Sequence, residues 1–110
     1  MKIKFFLTVS GRSPVEEFLQ SLDVGLKSEF FDALFLLEEG KNLPMPLSRN
    51  LSSIEKGLHK LRLKDRTGAF RFFYFIKKGD AIVFLHAFKK KSQELPLKEI
   101  AIVRKRIKEV

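Results

Sequence analysis

The sequence predicts an α+β domain with its helices on one face of a small sheet: an N-terminal strand and a helical hairpin packed on a small antiparallel sheet, with a closing C-terminal helix. Three observations carry this. A short β-rich run opens the chain and is followed by two segments whose apolar residues recur at helical spacing. Residues 58–88 then read as three strands joined by tight turns. After Pro96 the apolar residues return to helical spacing. At 110 residues the chain reads as one domain, 1–110, on a prior of about 100–200 residues per domain.

The elements follow in order. Lys2 to Val9 is the first strand, and Gly11-Arg12 turns the chain. Ser13-Pro14-Val15-Glu16 starts a helix, with Ser13 as cap, Pro14 at the first helical position and Glu16 completing a capping box. Val15, Phe18, Leu19 and Leu22 give that helix one apolar face. A second helix is expected from Val24 to Glu39, ended by Gly40, with Leu26, Phe30, Leu34 and Leu37 as its core stripe. Phe31 and Phe35 lie outside the stripe, one turn apart, and mark either a second core contact or a surface for a partner protein. Residues 41–56, with Pro44, Pro46, Asn42 and Asn50, read as loop. In residues 58–64, LHKLRLK, basic residues alternate with leucines, the pattern of a half-buried strand with a basic outer face. Asp65 to Gly68 forms a turn, AFRFFYFI (69–76) a strand apolar on both faces, and Lys77 to Asp80 a hairpin onto AIVFLHAF (81–88). Leu97, Ile100, Ala101 and Ile107 form the packing side of the last helix.

Composition narrows the function. There is no Cys, hence no disulfide framework or thiolate metal site, and two His are too few for a His-based zinc site without carboxylates. The apolar run near the N-terminus, Phe5 to Val9, is shorter than a signal-peptide core of about 7–15 residues, and no stretch approaches the roughly 20 apolar residues of a membrane span. A cytoplasmic protein with no membrane partner is expected. The net charge is +9, and it is unevenly placed. Residues 1–40 carry four basic and seven acidic side chains, whereas residues 41–110 carry eighteen basic and six acidic. A basic surface confined to one part of a small domain is the footprint of a polyanion binder.

Lys60 and Arg62 share a parity on their strand, and Arg71 interrupts an otherwise apolar strand between Phe70 and Phe72. Burying such a charge without a partner is costly, so Arg71 points to a site. Lys89, Lys90 and Lys91 follow just past the last strand, and a meander would bring all six cations to one surface. Structural roles compete with this reading. Arg62 can pair with Asp65 or a helix-borne Glu, and the lysine run can act as a gatekeeper against aggregation of a Phe-rich strand. His86 fits a hydrogen-bonded core residue, Tyr74 either packs or stacks on a base, and Lys60, Lys64, Lys77 and Lys78 singly suit solvated surface. His59 points away from Lys60. The residues offer no carboxylate cluster for Mg²⁺, no glycine-rich phosphate loop and no nucleophile with an adjacent base. RNA, however, carries its own nucleophile in the 2′-OH, so cations that position the phosphate and stabilise developing charge suffice to bind or cleave it.

Residues 57–101, GLHKLRLKDRTGAFRFFYFIKKGDAIVFLHAFKKKSQELPLKEIA, resemble the toxin subunits of the RelE/ParE superfamily, most closely the HigB-like, phage-related branch. The resemblance rests on KLR (60–62) followed by GAFRFFYF (68–75), on IVFLHAFKKKSQELP (82–96), and on LKEI (97–100) opening the closing helix. It implies a RelE-like fold and the toxin of a type II toxin–antitoxin pair. Such toxins are metal-independent mRNA endoribonucleases that often act at the translating ribosome and inhibit translation. No cofactor is implied; the implied partners are mRNA, the ribosome and a cognate antitoxin, commonly of helix-turn-helix type. Carried over residue by residue, Arg71, Arg62, Lys60 and Lys90 are the expected catalytic groups. Lys89, Lys91, Lys64, Tyr74 and His86 are the expected RNA-binding groups. Leu58 stands where some relatives are basic or polar, and the chain end lacks the aromatic or histidine that several members carry, so the general base stays open. Two alternatives also stay open: a gyrase-targeting ParE-like toxin and a non-catalytic RNA-binding protein.

Overall fold

The computed structural model describes residues 1–77, 81–91 and 96–110. The element order is β1 (Lys2–Phe5), α1 (Pro14–Gln20), α2 (Val24–Glu38), β2 (Ser48–Asn50), β3 (Leu58–Asp65), β4 (Gly68–Lys77), β5 (Ala81–Lys90) and α3 (Leu97–Ile107). The strands form one mixed sheet in the order β1-β5-β4-β3-β2. Strands β2 to β5 are antiparallel, and β1 runs parallel to β5. The α+β class and the RelE-like arrangement of strand, helical hairpin, sheet and closing helix are as the sequence predicts.

Both faces of the sheet are covered. On one face, α1 and α2 pack Val15, Leu19, Leu26 and Phe30 against Leu61, Phe72, Tyr74 and Phe84. Phe30 meets Phe72 at 4.7 Å and Phe84 at 5.3 Å between ring centres. These three rings are fully buried, each worth about 1.5–3 kcal/mol. On the other face, α3 packs Ile100 and Val103 against Leu58, Phe73, Val83 and Leu85. Because Phe70 to Tyr74 alternate between two covered faces, β4 is buried along that whole run.

The structure corrects the sequence reading in several places. The sheet is mixed rather than antiparallel, because the chain from β1 crosses over through α1 and α2 before the meander is laid down. The helices do not share one face: α3 lies opposite the hairpin. Residues 41–56 are not all loop. Ser48 to Asn50 add to the edge of β3, opposite Leu61, Lys60 and His59. Such a short strand with an outward Arg gives no strand signal in sequence but suits a protected edge. Strand β1 stops at Phe5, short of Val9. Ser13 makes no side-chain cap bond, and its hydroxyl is buried without a partner among the described residues. The neighbouring Glu17 accepts from Arg12 in a bidentate pair at 2.6 and 3.0 Å. Helix α2 is capped by Asp23, which accepts from the Leu26 N–H at 2.9 Å. The expected hairpin residues Lys78, Gly79 and Asp80 lie outside the described residues.

One irregularity positions the site. In the β4–β5 ladder Phe73 pairs with His86 and Tyr74 with Phe84, so Leu85 is an extra, bulged residue. Arg106 of α3 donates to its carbonyl at 2.7 Å.

Candidate functional site

On the α3 face a pocket of about 240 Å³ opens between β2, β3, β4, β5 and the start of α3. Arg49, Lys60, Arg71 and Lys90 supply its charged wall; Leu51, Ile54, Phe73, Phe88, Pro96 and Ile100 supply its apolar wall. All four charged groups are cations.

Strand pairing builds the charged wall. Lys60 lies opposite Arg49 on β2, and Arg62 lies directly opposite Arg71 on β4. Like charges set across a ladder oppose folding. Arg71 is 6% exposed, and its Nη1 has no hydrogen-bond partner among the described residues; the same holds for Nε of Arg62. Burial, with Arg62 second, holds the Arg71 guanidinium below its ordinary value. Lys60 responds more strongly. Partial burial, then Arg71, Arg49, Lys90 and Arg62, push its pKa down to about 8. Asp65 does not relieve Arg62. It is turned into its own hairpin, accepting from the Thr67 N–H at 2.7 Å and hydroxyl at 2.6 Å. The result is a half-buried cluster of cations that an anion would relieve.

The lysine run divides. The bulge at Leu85 reverses the alternation of β5, so Phe88 and Lys90 face the pocket while Ala87 and Lys89 face the helical hairpin. Lys89 lies over the Phe70 ring at 5.3 Å and donates to Thr67 at 3.2 Å, on the face away from the pocket. Lys89 and Lys90 lie within β5 rather than past its end, and exposed Lys91 follows it. Lys64 is exposed near the end of β3, with the parity of Lys60 and Arg62.

Two expected RNA-binding residues sit elsewhere. Tyr74 is 2% exposed on the hairpin face, and its hydroxyl bonds that of Ser48 at 2.7 Å. It stacks on His59 at 5.2 Å, and both line a separate pocket of about 330 Å³. His59 thus points away from Lys60. His86 stands on the α3 face, its ring 5.8 Å from that of Phe88. It donates from Nε2 to Glu99 at 2.7 Å, while Arg106 approaches Nδ1 at 3.4 Å. Burial holds its pKa below the ordinary value, with Glu99 opposing. His86 therefore braces α3 against β5 beside the pocket wall.

Arg49 was missed by sequence reasoning because it lies in a segment that reads as loop; only the β2–β3 pairing brings it to Lys60. The apolar wall was missed as well, because Leu51 and Ile54 come from that same segment. Among the described residues no three His, Cys, Asp or Glu side chains gather as a metal-holding group. No described helix is long and apolar enough to cross a membrane.

Residues 17–108 match the family described as phage derived protein Gp49-like (DUF891), a span that includes every residue lining the cationic pocket. No curated protein matches the chain. With most of its length in that match, the chain belongs to the phage-derived Gp49-like protein family.

Proposed function

We propose that this protein is the toxin of a type II toxin–antitoxin pair and a metal-independent mRNA endoribonuclease of the HigB-like kind, acting at the translating ribosome in the cytoplasm. The observation that carries the reading is Arg71, almost fully buried opposite Arg62 in a pocket whose charged groups are all cationic. Such an arrangement stores electrostatic cost that a phosphodiester relieves. The apolar wall beside it, with Phe73 and Phe88, suits a base attached to that phosphate. Family membership and the resemblance to RelE/ParE toxins are compatible with this reading, and a cognate antitoxin is the partner they imply.

In the proposed reaction Arg71 binds the scissile phosphate, and Arg62 and Arg49 hold its neighbours. Lys60, with a pKa of about 8, is neutral in about a tenth of molecules at pH 7 and accepts the 2′-OH proton. The 2′-oxygen attacks phosphorus, the bond to the 5′-oxygen breaks, and Lys90 donates the proton that the leaving oxygen needs. The products are a 2′,3′-cyclic phosphate and a 5′-hydroxyl. This assigns Lys90, rather than Lys89 or Lys91, to the chemistry.

The test is mRNA cleavage in a reconstituted translation reaction, wild type against Arg71→Ala, with EDTA-treated free RNA in parallel. Cuts on translated message that fall by about 10²–10³ in rate in the variant support the assignment. Near wild-type cleavage by Arg71→Ala removes Arg71 from the site. Intact RNA with inhibited gyrase supercoiling replaces the reading with the ParE-like one. Intact RNA that is nonetheless bound replaces it with RNA binding alone.

A further inference from the structure

Helix α2 is apolar on two sides. Its inner side, Leu26, Phe30, Ala33, Leu34 and Leu37, fills the core. At 3.6 residues per turn, Val24, Ser28, Phe31 and Phe35 form a second stripe on the opposite side. Val24 is 83% exposed, Phe31 54% and Phe35 60%. The spacing i, i+4, i+7, i+11 is that of a seam between two helices, and a helix apolar all round is one that is covered on both sides. Ser28 is exposed and small, leaving a notch between Val24 and the two phenylalanines for a knob from a facing helix.

The rim of this stripe decides what covers it. By helical spacing Asp32 and Glu39 flank the stripe on one side and Glu38 and Lys27 on the other, so the rim is net acidic. Among the described residues Asp32 and Glu38 make no ion pair, and Glu39 has only Lys41 at 3.7 Å. A second copy pairing α2 against α2 would set two net-acidic rims side by side, which disfavours self-association. Complementary charge on an apolar seam favours a basic amphipathic helix.

We infer that the outer face of α2 is the docking site for an amphipathic helix of a partner protein. That helix inserts large apolar side chains around Ser28 between Val24, Phe31 and Phe35, and flanks them with Lys or Arg facing Asp32, Glu38 and Glu39. The site goes beyond the RNA-cleaving reading and does not depend on it.

The experiment selects random peptides of about 16 residues, displayed as a library, on the full-length protein, with counter-selection on Phe31→Ser/Phe35→Ser. Phe35→Ser alone serves as a second variant, because Phe31 also meets Phe30 edge-on at 5.8 Å. Unchanged circular dichroism of both variants shows that they fold. The expected result is enrichment of peptides with apolar residues at helical spacing flanked by Lys or Arg. Their binding falls at least about tenfold on Phe35→Ser, as for loss of a central aromatic anchor. Three results overturn the proposal: no enrichment over the double variant, an acidic or uncharged consensus, or a wild-type dimer in sedimentation that the double variant abolishes.

Discussion

Lys60 carries the most perturbed charge resolved in the pocket, and its chemistry is checkable by pH. Its ammonium is held down to about 8 by partial burial and by Arg71, Arg49, Lys90 and Arg62. A base acts when deprotonated, so the rate rises with pH while Lys60 loses its proton. The expected log(kcat/KM) for RNA cleavage climbs with a slope of about 1 up to pH ~8 and climbs no further above it, because kcat/KM reports the free enzyme. Lys60→Arg, which keeps its proton in this range, removes the climb and lowers the rate. A profile that is instead flat up to pH ~8 and falls above it makes Lys60 a cationic donor. Tyr74 gives the opposite kind of test. Its hydroxyl serves Ser48 on the far face of the sheet. Tyr74→Phe is expected to cost about 1 kcal/mol in urea unfolding and to leave cleavage within about twofold of wild type. A large loss of cleavage with unchanged stability would return Tyr74 to the site.

At the scale of elements, β5 decides which lysine meets substrate. Straight alternation from Phe84 would turn Lys89 toward the α3 face and Lys90 away from it. The extra residue Leu85 reverses that order, and Arg106 takes the carbonyl it leaves outside the ladder. Cleavage assays should therefore separate the two lysines: Lys90→Ala loses at least about tenfold in kcat, whereas Lys89→Ala stays within about threefold. Equal losses would mean that the bulge does not sort the run. The same logic of placement applies to β2, whose three residues deliver Arg49 to the pocket by pairing with β3. Gly57, which precedes β3, has φ +87°, and a Cβ there would come within 3.0 Å of the Ile76 carbonyl oxygen. Its own carbonyl accepts from the Ile76 N–H at 2.8 Å, so glycine lets β3 enter the sheet in the register that sets Lys60 opposite Phe73.

Across the whole molecule the charge is divided by topology. The acidic first 40 residues build β1 and the helical hairpin, while the basic remainder builds the meander and α3. One side of the sheet thus gathers Arg49, Lys60, Arg62, Arg71 and Lys90, and the outer hairpin surface carries Asp32, Glu38 and Glu39. If those five cations each neutralise one phosphate, single-stranded RNA binds with log K falling against log salt at a slope of about −3.5, and Arg49→Ala reduces it by about 0.7. Fluorescence anisotropy over a salt series measures both values. A slope that ignores Arg49 places RNA away from the pocket.

The sequence alone determined the elements that composition and period can specify. Apolar spacing set α1, α2 and α3, turn residues bounded the β3–β4 hairpin, and the lone Arg in a Phe-rich strand marked Arg71. The shared parity of Lys60 and Arg62 followed from a period of two. Only the tertiary structure decided the rest, because it depends on partners distant in the chain. A three-residue strand such as β2 is stabilised by its neighbour rather than by its own propensities, so Arg49 had no local signal. The β5 bulge is a mismatch between two strands, and neither strand states it alone. Which face α3 covers depends on where the sheet leaves apolar surface uncovered, and that choice closes the apolar wall beside the cations.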